Sequence, residues 1–538
     1  MKSLKKVIGF GKDVGSTDNM GGNLDHLLRY FTTGTAEADI EILHDVFVLS
    51  SNIERKISPD SRQPRILVGR KGSGKTAMLS YSFKTIQKCN LNGLFITSRD
   101  LVLPELPADA AVAQLVQLIK PALITSIASA IGRDLQGFLS GPSAQLYEVA
   151  VKAGTREQDR LSAFSSLLSN LAKVIVDKDV EGALKDEKSG NAERLIRAIR
   201  ANIQDKRETF FLFIDDTDQI SSPEQVGHLN RIWAFLLGAR DLCMSIPELR
   251  CIISLRDEVW YRLTHSPNAQ RDQTDHFQPL IRRLAPSDKD ILEIIERRLT
   301  KSSSQLGRGA VNSIWEQFFE GSSPRMPGSD VRSSWADLIV GRSRGRPRDA
   351  IQLVHYAAQK AIDVQREKID ESIFEQTMRK FSEEKVTQLG QELYDECPHV
   401  KEVIGLFAEF ESDQGAFKYS AQKARHYIGR MPSYFGITLY GTRVRPNVEA
   451  DILRLWNFLF LNGILNARIS DPGQKDGYRF IALEEDPMLV GDPRWKDVER
   501  CIWEIHPAYR DFILQRQRQV GTKAGLPPTR RKRKRRRR

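Results

Sequence analysis

Cysteine is scarce in this chain, with five residues among 538. Their number is odd, their positions are far apart, and no two of them form a CxxC pair. This pattern excludes a small disulfide-stapled fold and a cysteine-based zinc site, because both require closely paired thiols. It is typical of a reducing compartment, so we expect a cytoplasmic protein.

Long uninterrupted hydrophobic runs are also missing. The first fifteen residues, MKSLKKVIGFGKDVG, contain lysines but not the apolar stretch that a secretory signal needs. Residues 111–132 are long enough to cross a bilayer, but Gln114, Gln117, Lys120 and Pro121 interrupt them. We therefore expect buried or amphipathic helices in this stretch and no membrane span.

Acidic residues are outnumbered, and the formal net charge is +12. Nine consecutive basic residues begin at Arg530 and end at Arg538, and without them the net charge is about +3. Such a run cannot pack into a core, so we predict a disordered basic tail over residues 513–538. We expect the tail to bind nucleic acid by counterion release. A solubilising role, a contact with anionic lipid and an import signal are the alternatives.

The remaining sequence has the composition of packed globular domains, with 40% hydrophobic and 28% charged residues. Short apolar runs predict buried strands at residues 65–68, 93–98, 209–214 and 249–255. The predicted units are an N-terminal loop (1–35) and helix (36–57) within residues 1–64, a core (65–285), a helical lid (286–385), a winged-helix-like domain (396–512) and the tail. The core contains a helical insertion at about 104–205, with predicted helix breaks at Pro121, Gly141-Pro142 and Gly190.

A glycine-rich loop lies between the first predicted strand and a helix. Its sequence, GRKGSGKT at residues 69–76, matches the pattern GxxxxGK[ST]. Glycines let successive backbone N–H groups point at phosphate oxygens, Lys75 places a cation on the β and γ phosphates, and Thr76 offers a hydroxyl to Mg²⁺. A plain strand-to-helix turn is the alternative. We predict that ATP and Mg²⁺ bind here, through Gly69, Arg70, Lys71, Gly72, Ser73, Gly74, Lys75 and Thr76.

Two acids stand at the end of the third predicted strand, FFLFIDD. Adjacent carboxylates repel each other unless a cation lies nearby. We expect Asp215 to ligate magnesium together with Thr76, and Asp216 to polarise the attacking water. Asp218 is close to both, and a cap on the following turn is the alternative role for these acids. Because an aspartate reaches less far than a glutamate, we expect slow hydrolysis.

Two arginines are placed to sense the γ-phosphate. Arg256 ends the fourth predicted strand, and its alternative role is an ion pair with Asp216 or Asp257. Arg348 follows a Gly-Arg-Pro turn at the start of a helix. If that helix belongs to a lid over the nucleotide, Arg348 would report hydrolysis to the lid. The alternative is an arginine that faces solvent or nucleic acid.

These motifs together resemble the ASCE division of P-loop ATPases, and in particular bacterial STAND and initiator-like AAA+ proteins. The shared segments are GRKGSGKTA (69–77), FLFIDDTD (211–218), SLRDEVW (254–260), LAPSDKDILEIIERRL (284–299) and GRPRDAI (345–351). The resemblance implies an α/β fold, an αβα sandwich with a parallel sheet in which the Arg256 strand separates the phosphate-loop strand from the acidic strand. It also implies a lid from near Pro286 and a switch-like role for ATP. Asp216 departs from the usual glutamate of this family, and the insertion of roughly 100 residues exceeds an ordinary connection.

Three helices and a β-hairpin are predicted near the C-terminus. The helices cover residues 399–410, 417–428 and 450–465, and the hairpin covers 466–483. This order resembles a winged helix, a class that often binds DNA. The third helix is strongly apolar, so contact with a protein or packing on the ATPase is the alternative.

We infer an ATP- and Mg²⁺-dependent ATPase that serves as a regulatory switch, associated with nucleic acid or a defence-type assembly. The alternatives are a non-hydrolysing scaffold that recruits partners and a DNA-stimulated motor. In a homo-oligomer, Arg282 and Arg283 would act as arginine fingers on a neighbouring subunit's nucleotide. A kinase is disfavoured, because the sequence contains no acceptor-site signature.

Overall fold

The computed structural model describes residues 22–48, 63–101, 110–135, 141–153, 181–205, 209–221, 227–265, 271–304, 313–325, 332–414, 416–474, 477–481, 485–486, 488–491 and 494–523. In chain order the longer helices and the strands of these ranges are α1 (Asn23–Tyr30), α2 (Leu43–Val46), β1 (Arg65–Gly69), α3 (Lys75–Lys88), β2 (Gly93–Thr97), α4 (Val112–Asp134), α5 (Gly141–Lys152), α6 (Glu181–Asp205), β3 (Phe210–Asp215), α7 (His228–Ser245), β4 (Leu249–Arg256), α8 (Asp257–His265), α9 (Arg271–Phe277), β5 (Ile281–Arg283), α10 (Asp288–Ser304), α11 (Ile314–Phe318), α12 (Trp335–Val340), α13 (Pro347–Asp363), α14 (Glu371–Glu392), α15 (Val400–Leu406), β6 (Lys418–Ser420), α16 (Ala421–Arg430), β7 (Thr438–Leu439), β8 (Thr442–Arg443), α17 (Glu449–Leu461), β9 (Leu465–Ser470), β10 (Tyr478–Phe480), α18 (Trp495–Glu499), β11 (Ile502–Ile505) and α19 (Pro507–Lys523). Their apolar side chains form three large buried clusters, in the core, in the lid and in the C-terminal region.

A five-stranded parallel sheet forms the centre of the core, with the order β2-β3-β4-β1-β5. Strand β4 lies between β1 and β3, as predicted, with Ser254 opposite Leu67 and Ile253 opposite Ile214. Because all five strands run parallel, their carboxyl ends meet at one edge, where the glycine-rich loop and the two acids emerge. This arrangement confirms the predicted α/β P-loop core. The sequence did not predict β5, which is only three residues long.

The long insertion packs its first helix against the core. Helix α4 is the one helix of the described ranges that is long and apolar enough to cross a membrane. Of its apolar 18-residue stretch, 61% is buried inside the protein. Ile119, Leu123 and Ile127 of this helix belong to the core cluster. The predicted helix break at Pro121 is wrong, because α4 runs through this residue. The break predicted at Gly190 is likewise absent, since α6 is continuous there.

The lid packs as a bundle that also includes the N-terminal helix. Leu27 and Phe31 share one buried cluster with Trp335, Ile351 and Phe374. Residues 23–30 are therefore helical, although the sequence suggests loop throughout residues 1–35. The helix predicted over 36–57 is reduced to α2 within residues 36–48, and the rest of it lies outside the described residues.

The C-terminal region combines helices with an antiparallel sheet of order β10-β9-β11-β6. The predicted hairpin is present, with Ser470 of β9 opposite Tyr478 of β10. The three predicted helices correspond to α15, α16 and α17. Strands β6 and β11 were not predicted from the sequence. Membership of the winged-helix class stays a prediction.

The start of the predicted disordered tail is wrong. Helix α19 continues to Lys523, and Ile513 is buried in the C-terminal cluster. The Phe512 backbone N–H donates to the Ser382 hydroxyl of α14 at 3.0 Å, which fixes the first turns of α19 against the end of the lid. The basic run from Arg530 to Arg538 lies outside the described residues.

Candidate nucleotide-binding site

The glycine-rich loop curls tightly between β1 and α3. A Cβ on Gly69 would lie 2.7 Å from both the Ser73 hydroxyl and the Leu284 carbonyl oxygen, so a larger residue does not fit there. Gly74, which precedes α3, has φ 98°, a left-handed conformation that side chains other than glycine rarely adopt. The loop conformation therefore depends on glycine at both of its ends.

Two polar groups of this loop are prepared for a phosphate. The Lys75 ammonium donates to the Gly69 carbonyl at 2.6 Å and to the Arg70 carbonyl at 3.1 Å, so it is held over the loop. Burial lowers the pKa of Lys75, and the negative charges of nearby acids, first Glu258, oppose that shift. The Ser73 hydroxyl is buried and has no hydrogen-bond partner among the described residues. A half-buried lysine and a buried, unsatisfied hydroxyl fit an oxyanion such as a nucleotide phosphate.

The two acids lie at the end of β3 and are crowded together. Asp215 is 2% exposed and accepts a hydrogen bond from the Ser254 hydroxyl of β4. The Asp216 backbone N–H donates to the same hydroxyl at 3.2 Å. Burial raises the pKa of Asp216, and the charges of Asp215 and Asp218 raise it further. The pair thus has the repulsion that a bound cation would relieve.

The Asp216 side chain does not cap the turn that follows β3. Asp216 is the N-cap residue of a short 3₁₀ helix, Thr217–Gln219, but its side chain makes no capping hydrogen bond. Its φ of 50° places it in the left-handed region, at the point where the chain leaves the sheet. Among the described residues, no group of three or more His, Cys, Asp or Glu side chains forms a metal site. Thr76 and Asp215 as metal ligands, and Asp216 as base, therefore stay predictions.

Arg256 is paired within the site. Its Nε lies 2.8 Å from Asp218 Oδ2, and its Nη1 lies 4.0 Å from Glu258 Oε1. Asp216 and Asp257 are the partners expected from the sequence, and in the structure the partner is Asp218. Since Arg256 stands opposite Gly69 in the sheet, it lies beside the start of the loop. Its role as γ-phosphate sensor stays a prediction.

The lid brings Arg348 to the loop. The Arg348 backbone N–H lies 3.5 Å from the Gly72 carbonyl oxygen, and its Nε donates to the Gly34 carbonyl at 3.3 Å. A Cβ on Gly72 would lie 3.4 Å from Arg348 Cβ. The first turn of α13 therefore touches the loop directly, and the sensing role of Arg348 stays a prediction.

The two arginines of β5 make contacts within the chain. Arg282 Nη1 donates to the carbonyls of Pro279, at 2.8 Å, and Ile281, at 2.9 Å. Arg283 Nη1 lies 2.7 Å from Asp257 Oδ1. Arg283 is exposed, and the arginine-finger role of both residues stays a prediction.

Two contacts connect the loop to distant parts of the chain, and no sequence pattern predicts either of them. Arg70 Nη2 donates to the Leu461 carbonyl, at the end of α17, at 3.1 Å. Lys71 Nζ lies 3.7 Å from Glu392 Oε1, at the end of α14, and Arg346 Nη1 lies 3.1 Å from Glu392 Oε2. Burial alone would raise the pKa of Glu392, but the nearby cations, first Arg346, lower it. Loop, lid and C-terminal region thus meet at one point.

A buried ion cluster stabilises this meeting point. Asp349 of α13 lies 2.6 Å from Arg344 Nη2 and 2.7 Å from Lys385 Nζ. Burial would raise the pKa of Asp349, but the cations outweigh it and lower the pKa to about 2. Arg344 also donates to the Tyr509 hydroxyl of α19 at 2.9 Å. The start of the lid helix is therefore fastened to α14 and to the C-terminal helix.

Comparison with known proteins gives one family match and several distant structural ones. Residues 289–390 match the family described as FunZ-associated C-terminal helical domain, which is about one fifth of the chain. No curated protein matches. The Aeropyrum pernix ORC2 protein in its ADPNP-ADP complexes has 12% identity and a TM-score of 0.38, covering 92% of this chain and 98% of that one.

Two further structures are similar at the same level. Drosophila ORC bound to DNA has 13% identity and a TM-score of 0.34, with 96% of both chains covered. The Thermotoga maritima RuvB Holliday junction branch migration motor has 13% identity and a TM-score of 0.30, covering 83% of this chain and 97% of that one. At these TM-scores the alignments carry no argument about this chain.

Proposed function

We propose that this chain is a P-loop ATPase that binds ATP and Mg²⁺ and uses them as a regulatory switch, in the manner of the STAND and initiator-like AAA+ proteins its motifs resemble. The observation that carries the proposal is the position of Arg70 and Lys71. Both belong to the phosphate-binding loop. Arg70 contacts Leu461 of the C-terminal region, and Lys71 contacts Glu392 at the end of α14, which in turn pairs with Arg346 of the lid. A change in what the loop holds would therefore alter contacts with both.

Each residue of the nucleotide site would have a separate role. Lys75 and the unsatisfied Ser73 hydroxyl would bind phosphate oxygens. Thr76 and Asp215 would hold Mg²⁺, which supplies positive charge to the phosphates when bound. Asp216, whose pKa is raised by burial, would accept a proton from water. Arg256 and Arg348 would respond to the γ-phosphate, from β4 and from the lid.

Nucleotide binding is tested by thermal unfolding with Mg-ATP. Because ATP would bind the folded state alone, we expect millimolar Mg-ATP to raise the Tm of the native chain by several degrees. Lys75→Ala should abolish that shift. Lys88→Ala changes an exposed lysine at the end of the same helix and should keep it. A native chain whose Tm ignores Mg-ATP would contradict the proposal.

Nucleic acid is the partner that we propose for the basic run from Arg530 to Arg538. Nine adjacent cations would release counterions from a polyanion, which makes binding steeply salt-dependent. Deleting residues 530–538 should weaken DNA or RNA binding and flatten its dependence on salt. If the deletion changes neither, the partner role of the tail is wrong, while the nucleotide site is unaffected.

A further inference from the structure

A cavity of about 320 Å³ lies between the core, the end of the lid and the C-terminal region. Helix α8 contributes Trp260 and Tyr261, α14 contributes Leu389, and the C-terminal region contributes Tyr440 and Met488. This volume is that of a small-molecule pocket, and a mostly apolar wall is typical of one.

The cavity is distinct from the proposed phosphate site. Of the phosphate-binding loop, its described lining includes Arg70, whereas Lys75, Thr76 and Asp215 stand outside it. Arg70 donates to the Leu461 carbonyl and so faces the C-terminal region. The two spaces adjoin at Arg70 and at Glu258, which lines the cavity and whose charge acts on Lys75.

The charges around the cavity balance one another. Arg283 pairs with Asp257 at 2.7 Å, and Arg346 pairs with Glu392 at 3.1 Å. A triphosphate or another polyanion would have to break such pairs and to leave carboxylates uncompensated. The wall therefore favours an uncharged occupant.

One pair of charges is held further apart. Arg262 Nη1 and Glu396 Oε1 are separated by 3.9 Å, beyond the length of a hydrogen bond. Burial raises the pKa of Glu396, and the charge of Arg262 opposes that shift. Nη1 of Arg262 therefore does not hydrogen-bond to Glu396, and a carbonyl or hydroxyl oxygen of a ligand could accept from the Arg262 guanidinium.

The mouth of the cavity exposes apolar surface. Tyr440 is 47% exposed and Met488 is 55% exposed, although both are large apolar side chains. Covering them would remove apolar area from water. We propose that this cavity binds a neutral small molecule with an apolar body, which covers Tyr440 and Met488, and one hydrogen-bonding end, which reaches Arg262.

The binding site is tested by titrating the full chain with prodan, a neutral naphthalene dye that carries one carbonyl acceptor. We expect saturable binding at one site, with emission shifted to the blue. Met488→Arg should weaken it by about tenfold or more, because the new charge would have to be desolvated at the mouth. Met244→Arg changes a methionine of similar exposure, 59%, on α7 and should have no effect. Arg262→Met should also weaken binding, since it removes the hydrogen-bond donor.

The titration is made without nucleotide and then repeated on Lys75→Ala, so that a failure of the ATPase proposal leaves it intact. Equal affinity of the native chain and Lys75→Ala supports a separate site. The proposal is overturned if prodan does not saturate, if Met488→Arg and Met244→Arg behave alike, or if ATP displaces prodan competitively.

Discussion

Lys71 and Glu392 face each other at 3.7 Å, one in the phosphate-binding loop and the other in the last turn of α14. Glu392 also holds Arg346, which stands directly before the lid helix α13. A single carboxylate therefore links the loop to the turn that precedes Arg348. This link gives the proposed switch a physical route from the nucleotide to the lid.

Glu392→Gln is expected to weaken the link between the phosphate-binding loop and the lid. The side chains of Arg346 and Glu392 are each about one tenth exposed, so the substitution leaves a buried guanidinium without its counter-charge. We expect the free energy of unfolding to fall by about 3 kcal/mol in urea titrations, and bound nucleotide to exchange faster. Glu375→Gln breaks an exposed pair with Arg379 on the same helix and should cost less than about 0.5 kcal/mol. Equal losses in the two variants would contradict the assigned role.

Asp216→Asn is expected to separate binding from hydrolysis. Asparagine tolerates the left-handed backbone at this position, where φ is 50°, so the fold should be kept. An amide cannot accept the proton from water, so ATP turnover should fall by about 10² or more while ATP affinity stays within a few-fold. Measured turnover that is unchanged would favour Asp218 as base or the non-hydrolysing scaffold.

The pH dependence of Mg²⁺ binding provides a second check on the two acids. In the metal-free chain, burial and the charges of Asp215 and Asp218 raise the pKa of Asp216, so it binds a proton at a higher pH than an ordinary aspartate. Because a bound cation would relieve this repulsion, we expect the affinity for Mg²⁺ to fall as the pH is lowered, and Mg²⁺ binding to release a proton. An affinity that stays constant down to pH 4, in a chain that remains folded, would exclude these acids from the metal site.

Ser254→Ala is expected to weaken the metal site without touching a proposed ligand. The Ser254 hydroxyl donates to Asp215 and accepts from the Asp216 backbone, so it orients both. Losing such a positioning group typically costs about 10–100-fold in metal affinity. The Mg²⁺ concentration for half-maximal ATP binding should rise accordingly. Ser302→Ala, another buried serine on the lid helix α10, should leave it unchanged.

His506→Asn is expected to flatten the pH dependence of stability. Burial lowers the pKa of His506 well below its ordinary value, and Arg344 and Arg510 add to that shift, while Asp349 opposes it. The unfolded chain thus binds the proton more readily than the folded chain. The contribution of His506 to the free energy of unfolding is therefore complete above about pH 6.5 and falls by about 1.4 kcal/mol per pH unit below it. Asparagine can retain an acceptor for the Ala508 backbone N–H. Parallel pH curves for the two proteins would contradict the assignment.

The parts of the site that are local in sequence could be predicted, and those that depend on tertiary contacts could not. The loop at 69–76 and the acids of β3 were recognisable because one short segment carries each pattern. Glu392 lies at the end of an ordinary helix, and no motif around it predicts the contact with Lys71. Strand β5 could not be predicted, because three residues are too few to show the alternation of apolar and polar side chains that indicates a strand.

Two wrong predictions, the start of the disordered tail and the helix break at Pro121, have a similar cause. Residues after Arg516 lack an apolar pattern, yet α19 continues to Lys523 because Phe512 and Gln515 are bonded to α14 upstream. Proline at position 121 predicts a helix break, but a helix that is buried against the core can tolerate one lost hydrogen bond. In both cases packing overrides local preference.

Leu284 sets where the lid can turn. Its backbone N–H donates to the Val68 carbonyl oxygen at 2.7 Å, and its own carbonyl oxygen occupies the space that a Cβ on Gly69 would need. The chain is thus held against β1 and the phosphate-binding loop as far as Leu284, and Pro286 follows two positions later. Any swing of the lid must pivot beyond Leu284, within a few residues of the loop, so a small rotation there becomes a large displacement at the far end of the bundle.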